Sequence, residues 1–92
     1  MQHEYEVTIA GPAERQLRKI AARDRAMAKD LLDAIDGLKR DPRPDGCKKL
    51  RGVEGYRLRV HRFRILYTVS DREIRVRVFR VADRKEVYRD HR

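Results

Sequence analysis

The sequence predicts an α+β domain in which two N-terminal helices, a helical hairpin, pack on one face of a mostly antiparallel sheet of four to five strands. Two patterns and a boundary carry that prediction. Ala13, Leu17, Ile20 and Ala21, then Ala28, Leu31, Leu32, Ile35 and Leu38, form two apolar stripes at helical spacing. Residues 56–79 alternate polar and apolar side chains in three consecutive runs, the signature of half-buried strands. Between them, Asp41-Pro42-Arg43-Pro44-Asp45-Gly46 ends the helical region, because each proline disfavours helix in the residue before it and glycine permits a turn. The 92 residues fit one domain, 1–92, with one core.

The elements follow in order. Glu4 to Ile9 reads as a first strand with Tyr5, Val7 and Ile9 on one face. Gly11-Pro12 breaks it and opens the first helix, since proline is tolerated in a first turn. Asp24 is placed to cap the second helix. The short connection between the two stripes makes the helices antiparallel neighbours. Lys48 to Arg51 is a candidate short strand before Gly52. The runs Tyr56–Val60, Phe63–Val69 and Ile74–Phe79 are the remaining strands.

A tip at His61-Arg62 pairs Val60 with Phe63, Arg59 with Arg64, Leu58 with Ile65 and Tyr56 with Tyr67. A tip at Asp71-Arg72 pairs Val69 with Ile74, Thr68 with Arg75, Leu66 with Arg77 and Arg64 with Phe79. The core face then holds Tyr56, Leu58, Val60, Phe63, Ile65, Tyr67, Val69, Ile74, Val76 and Val78. The opposite face holds Arg57, Arg59, Arg64, Arg75 and Arg77, with Leu66, Thr68 and Phe79 between them. A slip of one residue would send the arginines into the core, so burial of one face pins this parity.

That arginine face is the functional signal. Within the strand runs no acidic residue interleaves the arginines, and like charges side by side on a sheet are destabilising. Lys+Arg number 24 against Asp+Glu 15, a formal charge of +9 that attracts polyanions. A guanidinium holds phosphate bidentately and stays charged at any physiological pH. Phe79 and Tyr88 add stacking surfaces for unpaired bases. A membrane partner is not expected: no apolar run nears the ~20 residues of a span, and neither helix is long, basic and amphipathic with bulky aromatics. A single cysteine and the lack of a signal-peptide pattern predict a reduced, cytoplasmic setting. Cys47 has no neighbouring histidine in sequence and is read as inert.

Lys48-Lys49-Leu50-Arg51-Gly52, Tyr56-Arg57-Leu58-Arg59, Phe63-Arg64-Ile65-Leu66-Tyr67 and Val81-Ala82-Asp83-Arg84-Lys85-Glu86-Val87-Tyr88, in this order and spacing, resemble the RelE/ParE toxin superfamily. The resemblance spans most of the chain. It implies the toxin of a type II toxin–antitoxin pair, neutralised by a cognate antitoxin. RelE-type members cut mRNA on the ribosome, and ParE-type members poison DNA gyrase without cutting. The Arg84-then-Tyr88 ending favours the RelE type. Carried over by position, the implied catalytic set is Arg57, Arg59, Arg64, Arg84 and Tyr88, and Lys48, Lys49, Arg51, Arg75 and Arg77 are candidate RNA and ribosome contacts. Two alternatives stand beside this reading: a ParE-like gyrase inhibitor, and a binding module whose catalytic set has decayed.

The chemistry implied is attack of an RNA 2′-hydroxyl on the adjacent phosphate. It needs a proton acceptor, a proton donor for the leaving oxygen, and cations for the charged intermediate. No metal-ligand cluster is visible in the sequence, so no metal or other cofactor is expected. Tyr88 is the proton-transfer residue by resemblance. His61, at a hairpin tip, and the carboxylates Glu54 and Glu86 are secondary candidates, whereas His3 and His91 read as surface bystanders. The best-known RelE pattern has lysine where this chain has Arg57 and Arg59. Arginine clamps phosphate but does not readily accept or release a proton.

Overall fold

A computed structural model describes residues 4–85. In chain order the elements are β1 (Glu6–Ile9), α1 (Gly11–Arg23), α2 (Arg25–Gly37), β2 (Lys48–Lys49), β3 (Tyr56–Val60), β4 (Phe63–Ser70) and β5 (Arg75–Asp83). The strands make one open sheet in the order β1-β5-β4-β3-β2. β1 runs parallel to β5 and the other neighbours are antiparallel, so the sheet is mixed. Both helices cover one face, which is the predicted α+β arrangement.

The helices form where their stripes and breakers place them. Pro12 sits in the first turn of α1, whose buried side chains are Ala13, Leu17 and Ile20. Asp24 then leaves helical geometry and caps α2, its carboxylate accepting the Met27 N–H at 3.0 Å. Losing such a cap typically costs about 1 kcal/mol. α2 buries Ala28, Leu31 and Ile35, with Leu38 buried just beyond its end. Leu32 departs from the expected stripe and is 48% exposed. It lies at the rim of the arc set by Ala28, Leu31, Ile35 and Leu38, beyond the reach of the sheet.

The first hairpin has the expected register, Val60↔Phe63 through Tyr56↔Tyr67. Its tip uses no glycine; His61 takes a left-handed φ of 56° and its Nε2 lies 2.8 Å from Asp30 Oδ2 on α2. The second hairpin corrects the expectation. Ser70 pairs with Arg75, so the turn is four residues, Asp71 to Ile74, and Val69 faces Val76 rather than Ile74. A two-residue Asp71-Arg72 turn would need φ > 0 at one or both of its residues without the Gly or Asn that favours such turns. The wider turn confines that conformation to Ile74 (φ 53°) and lets Ser70 Oγ accept the Glu73 N–H at 3.2 Å. Ile74 is therefore a turn residue, 36% exposed, and not a core strand position. Its carbonyl still contributes, accepting the Glu6 N–H at 2.9 Å as β1 docks beside β5.

The offset is two residues, so the faces are kept from Ser70 to Tyr67. A bulge opposite Leu66 and Tyr67 then adds a third residue of offset: Tyr67 pairs with Val78, but Leu66 pairs with Arg80 and Arg64 with Ala82. Leu66 thus meets Arg80 rather than Arg77, Thr68 meets Arg77 rather than Arg75, and Phe79 is the extra residue of the bulge. The extra residue restores Val81 to the core face after Val76 and Val78. Tyr67, Leu31, Leu38, Ile65, Val76 and Val78 are the largest fully buried side chains. Among the described residues no helix is long and apolar enough to cross a membrane.

Candidate functional site: a basic concavity on the open sheet face

Pairing carries the arginines across the uncovered face in rows. Lys48, Arg57, Leu66 and Arg80 form one row, and Arg59, Arg64 and Ala82 form the next. Between β2, β3 and β4 these rows enclose a concavity of about 290 Å³ lined by Asp45, Gly46, Lys48, Arg57, Leu58, Arg59 and Arg64. Arg64 is its most deeply seated cation, only 5% exposed, while Arg57 is half-buried and Arg59 exposed. An adjoining recess is lined by Lys48, Lys49, Leu50, Arg51 and Arg57. Lys48 and Arg57 belong to both, so the basic surface runs continuously from Arg64 to Arg51.

The structure therefore brings together three of the five expected catalytic residues and three of the expected RNA contacts. The remaining residues lie elsewhere. Arg75 and Arg77 line a separate recess with Thr8, Glu54, Thr68, Ser70 and Glu73. Arg75 Nε is 3.1 Å from Glu6 Oε1. This end of the face is mixed in charge, because parallel pairing of β1 and the loop before β3 bring in carboxylates from outside the strand runs. Arg84 is exposed just past β5, its backbone N–H donating to Arg62 O at 2.9 Å, and it does not line the Arg64 concavity. His61 is engaged with Asp30 on the helix side. Tyr88, Glu86, His3 and His91 lie outside the described residues.

Two residues at this surface were not singled out from the sequence. Arg80 is turned onto the basic face by the bulge. The spacing Val76, Val78, Val81 carries that signal, since a regular strand would place its third valine-type position at residue 80. Asp45 reaches the concavity from the loop before β2. The turn Pro44–Cys47 holds it, with the Cys47 N–H donating to Pro44 O at 3.0 Å and Gly46 at φ 91°. A positive φ at the third turn position is the usual reason for glycine there.

The preceding residues anchor that loop on the helix side of the sheet. Arg43 makes two hydrogen bonds to the Asp71 carboxylate, 3.1 and 2.9 Å, and a third from Nε to Tyr56 Oη at 3.0 Å. Tyr5 donates to Asp71 at 2.7 Å, and Tyr67 donates to Pro42 O at 2.8 Å. Arg43 chiefly, with Tyr5, holds the Asp71 carboxyl below the usual range. Burial, with Cys47 nearby, pushes the Tyr67 phenol well above its ordinary value, so it remains a donor. Among the described residues no group of His, Cys, Asp and Glu is arranged to hold a metal ion.

The fold has counterparts of known kind. The family model described as the ParE toxin of a type II toxin–antitoxin system, parDE, matches residues 7–88. The chain belongs to this family of toxins. Its solved structural relatives include the toxin–antitoxin complex RelBE2 from Mycobacterium tuberculosis, at 25% identity and TM-score 0.74, with 87% of this chain and 98% of that one covered. The archaeal RelE–RelB complex from Pyrococcus horikoshii OT3 aligns at 23% identity and TM-score 0.76, covering 88% and 96%. A YoeB/ParE toxin from Agrobacterium tumefaciens aligns at 20% identity and TM-score 0.74, covering 85% and 96%. Comparison with curated proteins yields no match.

Proposed function

We propose that this toxin is a RelE-type endoribonuclease that cuts ribosome-bound mRNA in the cytoplasm, inhibiting translation, and that a cognate antitoxin masks its basic face. The observation that carries the reading is the convergence of Arg57, Arg59, Arg64 and Lys48 on one small concavity. Such a cluster is suited to a phosphodiester whose charge rises during attack by the neighbouring 2′-hydroxyl. In this scheme Arg57, Arg59 and Arg64 clamp the scissile phosphate, Arg84 adds positive charge, and Tyr88 protonates the leaving oxygen. Lys48, Lys49 and Arg51 guide the backbone through the adjoining recess, and Arg75 and Arg77 contact RNA further along the sheet. The ribosome supplies part of the alignment, which is worth several kcal/mol when the nucleophile is held in line. That a RelE–RelB complex shares the fold supports an antitoxin partner.

The purified toxin, mixed with ribosomes carrying mRNA, is expected to leave a 2′,3′-cyclic phosphate or 3′-phosphate end. Cleavage should persist in EDTA when other cations keep the ribosome assembled. Association should weaken steeply with added salt, because neutralising phosphates releases counterions. Association insensitive to salt, or mRNA left intact, contradicts the reading. The ParE description of the matched family favours one second reading, a gyrase inhibitor that uses the same face for protein binding.

A further inference from the structure

The basic concavity contains a group whose charge is wrong for a simple anion clamp. Among the described residues Asp45 is the single carboxylate lining it, together with Arg57, Arg59 and Arg64. Its side chain is exposed, and its place in the chain is fixed by the loop that carries it. The Pro44–Cys47 turn fixes its backbone, and Tyr67 and Arg43 tie the two residues before Pro44 to the sheet and to Asp71. A loop anchored on both sides places Asp45 at the concavity before substrate arrives, which is how positioning lowers a barrier.

An anion site that only bound phosphate would be weakened by a carboxylate, since like charges repel. The reaction proposed above nevertheless requires a proton acceptor. Arginine does not fill that role, and Lys48 as an ammonium has no lone pair to accept with. We infer that Asp45 is the general base that takes the proton from the attacking 2′-hydroxyl. This inference rests on the endoribonuclease reading of the site.

The 2′-O–H bond breaks and its proton passes to the Asp45 carboxylate. The 2′-oxygen bonds to the adjacent phosphorus, whose oxygens are held by the arginines. The P–O5′ bond then breaks, and the leaving 5′-oxygen takes a proton from Tyr88. Water returns the two side chains to their starting protonation. The products are a 2′,3′-cyclic phosphate and a 5′-hydroxyl, with no net proton gained or lost.

The test compares wild type, Asp45→Asn and Asp45→Glu on ribosomes carrying mRNA under single-turnover conditions. Affinity is read separately, on ribosomes carrying mRNA with 2′-deoxy sugar at the cut position, which binds and cannot react. Asp45→Asn is expected to cut at least roughly 10²-fold more slowly, the lower span for losing a general base. It should bind the deoxy complex as tightly as wild type or tighter, because a repulsive charge has gone. Asp45→Glu should recover part of the lost rate. Asn cleaving at the wild-type rate, or losing rate and affinity together, overturns the assignment. If wild type itself cuts nothing, the endoribonuclease reading fails first, which separates the two failures.

Discussion

Replacing Arg57 and Arg59 together by alanine is expected to slow mRNA cleavage on ribosomes by at least roughly 10²–10³-fold, the span for losing one donor to a developing anion. Both residues line the basic concavity, and Arg57 also lines the recess beside it. They flank Arg64 from β3, where Arg59 is its direct cross-strand partner. Lining one concavity from adjacent strands, the three guanidiniums concentrate positive charge there. In the proposed mechanism the pair serves both affinity and rate, so ribosome association should weaken and become less salt-dependent. Neither side chain is in the core, so the unfolding midpoint should shift little, as for surface substitutions generally. A double variant that unfolds normally and still cuts at the wild-type rate would remove the concavity from the mechanism.

The largest loss of stability is expected from Tyr67→Ala, at about 3–5 kcal/mol, the range for truncating a buried aromatic. Tyr67 is fully buried in the centre of β4. Its ring stacks on Tyr56 at 5.8 Å between centroids, and its hydroxyl donates to Pro42 O at 2.8 Å. Alanine removes the ring, leaves a cavity and strands a carbonyl that anchors the Asp45-bearing loop. Folded domains of this size hold only about 5–15 kcal/mol in total, so the variant should be close to unfolding. Tyr67→Phe keeps the ring and should cost about 1 kcal/mol, the usual net value of one hydrogen bond. Urea unfolding of the two variants separates packing from the loop anchor. Equal losses for both would contradict the role given to the ring.

The arginine rows show how far the sequence reaches. Alternation from Tyr56 to Tyr67 was sufficient to place Arg57, Arg59 and Arg64 on the open face, because burial of Leu58, Ile65 and Tyr67 forbids any slip of one residue. Alternation could not fix the second hairpin, where the turn carries neither Gly nor Asn and the register depends on Ile74 adopting φ 53°. Arg80 escaped for the same reason, since a bulge changes which residues share a face without changing their identity. Asp45 lay in a segment legible only as a helix stop. Its place beside the arginines depends on long-range ties from Arg43 to Asp71 and from Tyr67 to Pro42, which no local pattern encodes. Glu6 and Glu54 reach Arg75 and its recess across similar distances in sequence, so a face that reads as purely basic is mixed at one end.

The proposed role of the basic concavity in cutting mRNA can be checked by primer extension on mRNA from cells expressing the toxin, with gyrase supercoiling assayed on the same cells. New 5′ ends are expected within translated regions, appearing as growth stops, while supercoiling continues. Growth arrest with intact mRNA and lost supercoiling would contradict it and leave the toxin as a gyrase inhibitor.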